Sequence, residues 1–187
     1  MTTRYFYDCE FLEDGRSIEL ISIGIVAEDG REYYAVNDDM PVERIKRHEW
    51  LMENVWTTLP VTEENRLDHA SPLVKSKVTI AVEVERFLTK FGTDQPELWA
   101  WYGAYDHIAL MQLWGPMVEK PFLLPMWTND LRQEIYLHPA PYLPEQKSGY
   151  HNALADAQHL KRRYDFLQEW KAQGHRPGDL VDTGRLD

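Results

Sequence analysis

The chain has 187 residues and a mass of 22.1 kDa, with 31 Asp and Glu against 20 Lys and Arg and a formal net charge of −11. With 43% hydrophobic and 12% aromatic residues, it carries enough apolar material for one globular core, which excludes collagen-like, coiled-coil and mucin-like chains. The acidic balance argues against a passive, non-specific nucleic-acid binder, whose free energy comes from Lys and Arg meeting phosphates, but not against an enzyme whose acids hold cations.

Two Asp-Gly turn signals, Asp14-Gly15 and Asp29-Gly30, separate three β-rich runs, so the chain is expected to open with an antiparallel meander. Its strands are Arg4 to Phe11, Ile18 to Ala27 and Glu32 to Val36. The two-residue period puts Ile21, Ile23 and Ile25 on one buried face. Asp38 or Asp39 followed by Pro41 reads as a helix start, predicting a helix from Pro41 to about Val55. The polar stretch from Thr57 to Pro72 reads as a surface excursion. Val74 to Phe91 fits both periods: Val78, Ile80, Val82 and Val84 alternate like a strand, whereas Val74, Val78, Ala81, Leu88 and Phe91 recur like a helix. Its length and the stop at Gly92 favour the helix.

Glu97 to Ala104 has the apolar, aromatic character of a buried strand, and Tyr105 to Trp114 that of a short helix ended by Gly115-Pro116. Prolines 139, 141 and 144 make 138–144 an irregular, mobile loop. Ala153, Ala157, Leu160, Tyr164 and Leu167 form a helical stripe from about Asn152 to Gln173, stopped by Gly174 and Pro177. This order predicts an α/β domain over residues 1–174, its mixed sheet starting antiparallel and continuing parallel between flanking helices, with a flexible tail over 175–187.

Cys9 is the single cysteine, which excludes an intrachain disulfide framework and a multi-cysteine zinc site and fits a reducing, cytoplasmic setting. No apolar run approaches the ~18 residues that span a bilayer, and the N-terminus has no signal-peptide pattern.

Three groups of residues carry chemistry. Asp8 and Glu10 stand two apart in the first strand, so their carboxylates share a face; a solvated strand end reads the same way, but strand ends are also where α/β sheets open ligand crevices. Asp106 lies where a strand meets a helix, a place that also suits a capping acid. His151 precedes the last helix and Asp156 sits beside that helix's apolar stripe, where a carboxylate is expensive unless it is paired, for instance with Arg4, or bound to a metal.

The order Asp-x-Glu, then Asp, then His-x4-Asp resembles that of the DEDDh family of 3′-to-5′ exonucleases, of ribonuclease H-like fold. The runs Asp8-Cys9-Glu10-Phe11-Leu12-Glu13-Asp14-Gly15-Arg16, Ile18-Glu19-Leu20-Ile21-Ser22-Ile23-Gly24 and Glu97-Leu98-Trp99-Ala100-Trp101-Tyr102-Gly103-Ala104-Tyr105-Asp106-His107 look like its mycobacterial adenylate-preferring branch, known as RNase AS, with similarity over roughly Arg4 to Tyr164.

The resemblance implies a metal-dependent exoribonuclease that shortens single-stranded RNA, adenylate-rich ends among its substrates, to nucleoside 5′-monophosphates. Two Mg²⁺ or Mn²⁺ ions are implied, since hard oxygen ligands suit these cations and paired ions serve in-line phosphodiester displacement. On this reading Asp8 bridges the two, Glu10 and Asp156 complete the shell of one, Asp106 supports the other, and His151 takes the proton of the attacking water, its side-chain type having an ordinary pKa of about 6.5. A homodimer is also implied. Stacking candidates are Trp50, Trp56 and Trp127. Lys147, Arg132, Arg162 and Arg163 are phosphate candidates, the last two reading more readily as a solvated helix face. Two readings stay open beside this one: a DNA-directed exonuclease on the same fold, and a non-catalytic binding module.

Overall fold

β1 (Thr2–Glu13) and β2 (Ile18–Ala27) pair antiparallel through the Asp14-Gly15 turn, and β2 pairs antiparallel with β3 (Glu32–Asn37). These and the elements below come from a computed structural model, which describes residues 2–90, 92, 95–137 and 142–174. The tail expected over 175–187, and 138–141 of the Pro-rich loop, lie outside the described residues.

Parallel strands extend the meander on both sides. β4 (Val74–Lys75) joins β3, β5 (Gln95–Ala100) joins β1, and β6 (Asn129–Asp130) joins β5, giving the six-strand order β4-β3-β2-β1-β5-β6. This is the expected α/β mixed sheet, of a kind consistent with a ribonuclease H-like fold. The alternation of β1 sends Tyr5, Tyr7 and Cys9 into a core shared with Ile80, Val84 and Leu88 of α3 (Lys77–Thr89) and Ala109 and Leu110 of α4 (Ala104–Met111). Phe6, on the other face, packs against Leu160, Tyr164 and Leu167 of α6 (Ala153–Ala172) and Leu131 and Ile135 of α5 (Leu131–Leu137). No helix among the described residues is long and apolar enough to cross a membrane.

Several expectations are corrected. The helix from Pro41 to Val55 is two pieces, α1 (Val42–Ile45) and α2 (Glu49–Asn54), because His48 takes an extended conformation and its Nδ1 accepts from Leu51 N–H, capping a new helix. Asp39 caps elsewhere, its Oδ2 accepting from Lys77 N–H. The doubly periodic segment resolves into β4 and α3, with Ser76 as N-cap; Ile80, Ala81, Val84 and Leu88 are buried, whereas Val78 is 74% exposed. Ile21 does not share a face with Ile23 and Ile25. The register jumps from Glu10↔Ser22 to Phe11↔Leu20, so Ile21 is an unpaired bulge residue and turns into a separate cluster with Leu12, Val36 and Trp56. The fifth strand ends at Ala100, before the expected Ala104.

Candidate active site

Each acid reaches the cleft for a local reason. β5 stops pairing with β1 at Phe6↔Trp99, leaving the next stretch of the β1 edge uncovered. Asp106, in the first turn of α4, fills that edge: its Oδ1 accepts the Cys9 N–H at 2.9 Å. Asp8 and Glu10 flank Cys9 and point to the opposite side from its thiol, and the β2 bulge at Ile21, directly beyond the Glu10↔Ser22 pair, increases the local twist there. Glu10 and Asp106 are 8% and 7% exposed, and Asp8 is partly buried.

Asp156 arrives from α6. Its Oδ1 accepts from Gln146 Nε2 at 2.6 Å and its Oδ2 from the His151 N–H at 2.9 Å. Arg4, its possible ion-pair partner on sequence grounds, instead pairs with Glu28 and Glu97. His151 has a left-handed backbone, φ +59°, which costs an L-residue about 1 kcal/mol. The bond to Asp156 and the Thr58 hydroxyl's donation to His151 O at 3.0 Å offset that strain. The His151 ring meets Trp50 edge-on, centroids 4.8 Å apart. Ligand atoms of Glu10, His151 and Asp156 lie within 4.8 Å of one another.

All five sequence-derived candidates, Asp8, Glu10, Asp106, His151 and Asp156, line one cleft of about 840 Å³. Burial raises every one of its four candidate ligand acids, and repulsion from the other acids adds to it at Asp8 and Glu10. Asp8 lies well above the ordinary carboxylate range, first through burial and then through Asp106, Glu10 and Asp156. Burial, with Asp156 and Asp106, lifts Glu10 to about 8. Asp106 rises to about 6 through burial, against the lowering effect of the Cys9 N–H. Burial also raises Asp156, opposed by Gln146 and the His151 N–H. Four acids that resist ionising together fit divalent cations, which favour the charged carboxylates and accept their hard oxygens.

The chain matches, over residues 3–167, the family model described as the 3′-5′ exoribonuclease Rv2179c-like domain. It belongs to that family. Its relatives include the 3′-5′ exoribonuclease Rv2179c of Mycobacterium tuberculosis strain H37Rv and the 3′-5′ exoribonuclease MT2234.1 of strain CDC 1551, each 48% identical over 164 residues that span 88% of this chain and 92% of theirs.

Other residues of this Rv2179c-like chain are placed differently from expectation. Trp50 does line the cleft, but Trp56 is 1% exposed in the core, its indole N–H donating to Asn65, and Trp127 is exposed away from the cleft. Arg132 is exposed and reaches the Tyr102 hydroxyl, Lys147 is exposed, and Arg162 bonds His159 Nδ1. Arg163 faces the cleft rather than solvent alone. Phe11, Trp101, Gln146 and Tyr150 also line it. Gln146 carried no sequence signal, since its contact with Asp156 depends on a loop conformation. Arg163 follows Asp156 by seven residues, two helical turns, a spacing that could have placed both on one face.

Proposed function

We propose that this chain is a divalent-cation-dependent 3′-to-5′ exoribonuclease of the cytoplasm that acts on single-stranded RNA, adenylate-rich 3′ ends included, and releases nucleoside 5′-monophosphates. The observation that carries the reading is the convergence of Asp8, Glu10, Asp106, Asp156 and His151 from three separate elements and a loop onto one cleft, in a chain of the Rv2179c-like exoribonuclease family. Asp8, Glu10, Asp106 and Asp156 would hold two Mg²⁺ or Mn²⁺ ions, which when bound stabilise the attacking and leaving oxygens of an in-line phosphodiester displacement.

The protein's own part is placement and proton transfer. The Cys9 N–H fixes Asp106 and the Gln146 amide and His151 N–H fix Asp156, so the carboxylates are oriented before substrate arrives. His151, held at its backbone by Asp156 and Thr58 and at its ring by Trp50, takes a proton from the water that attacks phosphorus. Trp50, Trp101, Phe11 and Tyr150 offer flat apolar faces on which unpaired bases stack. We also assign the chain a homodimeric state, which sedimentation checks.

The deciding experiment incubates 5′-labelled oligoadenylate with the protein, with and without Mg²⁺ or Mn²⁺, beside oligouridylate and the matched DNA. A ladder shortening from the 3′ end, only with metal and faster on oligoadenylate than on the others, is expected. Equal cleavage of DNA would replace RNA as the substrate class; no cleavage with either metal would remove the enzymatic reading.

A further inference from the structure

Arg163 is the only Lys or Arg among the described residues lining the cleft, where it stands among the carboxylates of Asp8, Glu10, Asp106, Glu145 and Asp156. Its guanidinium carbon lies 4.5 Å from the centroid of the Trp101 ring, and its Nε donates to Pro144 O at 3.1 Å. One face and one N–H are thus occupied. Among the described residues, no hydrogen bond or ion pair engages the two terminal nitrogens. A guanidinium held over an indole and tethered at Nε has given up most of its rotational freedom before a ligand arrives, and its open edge is a fork of donors matched to a pair of phosphate oxygens.

Helix geometry aims that fork inward. Arg163 lies seven residues beyond Asp156 on α6, two turns along the same face, and helical side chains lean toward the N-terminus, here toward Asp156. The Trp101 side of the fork is fixed through β5, whose end carries both Trp101 and the turn into α4 and Asp106. A base could not stack on the guanidinium face that Trp101 covers, whereas a phosphate needs only the free edge.

We propose that Arg163 is a substrate-binding residue that grips a backbone phosphate of the RNA, an inference that rests on the exoribonuclease reading above. In a cleft that holds five carboxylates it is, among the described residues, the one Lys or Arg that can meet the polyanion. The phosphate is either that of the bond being cut or its neighbour on the 5′ side.

The test measures KM and kcat for penta-adenylate and for diadenylate between about 50 and 200 mM KCl in the wild-type protein, Arg163→Met, Arg163→Lys and, as a charge-matched control on the same helix, Lys161→Met. Arg163→Met should raise KM for penta-adenylate roughly 10-fold or more, the worth of a charge-assisted hydrogen bond, and flatten the logarithmic salt dependence of kcat/KM by about 0.7, one phosphate contact on a single strand. Arg163→Lys should keep the salt slope but bind more weakly, and Lys161→Met should match the wild type. Loss with both substrates assigns the phosphate of the bond being cut, and loss with penta-adenylate alone assigns its neighbour.

A wild-type KM and salt slope in Arg163→Met would overturn the inference. So would a lowered Tm with reduced kcat but unchanged KM and slope, because Arg163 would then only clamp Pro144. Should Arg163→Met fail to fold, Arg163→Lys decides: an unchanged KM rejects the contact. A wild-type protein that cleaves no RNA would instead strike the functional reading itself.

Discussion

Gly24 and Ala153 meet backbone to backbone: a Cβ on Gly24 would fall 2.3 Å from the carbonyl carbon and oxygen of Ala153. Gly24 is the cross-strand partner of Asp8 on β2. The first residue of α6 therefore rests on the sheet directly beside Asp8, and this contact sets the height at which α6 brings Asp156 to the acids of β1. Gly24→Ala should lift the start of α6, lower stability by about 3 kcal/mol, at the upper end of overpacking costs, and reduce kcat at least tenfold. Thermal melting with steady-state kinetics checks this. A variant with wild-type Tm and activity would show that the site does not depend on the contact.

Removing one charge should relieve the crowded acids while disabling the chemistry. Asp8→Asn and Asp156→Asn are each expected to lower turnover by at least roughly 100-fold, and Asp8→Asn should melt no lower than the wild type without metal, since its charge lies beside Glu10, Asp106 and Asp156. Calorimetric titration with Mn²⁺ should also weaken in both. Full activity in either variant would remove that residue from the metal site.

His151→Ala tests proton transfer separately from metal binding. The expected fall in kcat is roughly 10²- to 10⁴-fold, partly recovered at higher pH as hydroxide becomes available, with Mn²⁺ affinity little changed. Because the ring lies near Glu10 and Asp156, lost Mn²⁺ binding would make His151 a ligand instead. His107→Ala is the control: that ring bonds the Tyr7 hydroxyl at 3.3 Å and does not line the cleft, so its loss should lower stability more than activity.

The raised acids predict how metal-free stability depends on pH. Glu10 at about 8 and Asp106 at about 6 keep protons in the folded chain that the unfolded chain, near 4, has already released. Where the folded state binds more protons, stability falls as pH rises. The Tm without metal should therefore decline between about pH 4.5 and 8. Asp8→Asn should flatten the decline, and Mg²⁺ should raise Tm at pH 8 far more than at pH 5. A pH-independent Tm in chelator, or equal Mg²⁺ stabilisation at both values, would contradict the assigned electrostatics.

Periodicity and turn chemistry made much of the molecule legible from the chain alone. Two Asp-Gly turns delimited the meander, and Ala153, Ala157, Leu160, Tyr164 and Leu167 marked the buried stripe of α6. The same local patterns placed Asp8, Glu10, Asp106, His151 and Asp156 on their elements: Asp106 and Asp156 sit in the first turns of helices and His151 just before one, whereas Asp8 and Glu10 lie inside β1, which runs on to Glu13. Contacts between distant segments decided the rest. The bulge at Ile21 depends on how β1 and β2 slide past each other, and the break at His48 on a cap that competes with continuing the helix. The two-residue strands β4 and β6 exist only because β3 and β5 offer edges to pair with. Neither Gln146 against Asp156 nor Arg163 against Trp101 has a local pattern to announce it, since a long polar side chain takes its orientation from whatever the fold places opposite it. Local sequence determined which elements carry the candidate site residues; the close approach of α6 to Gly24, a contact between segments far apart in the chain, decided that Asp156 would meet the acids of β1.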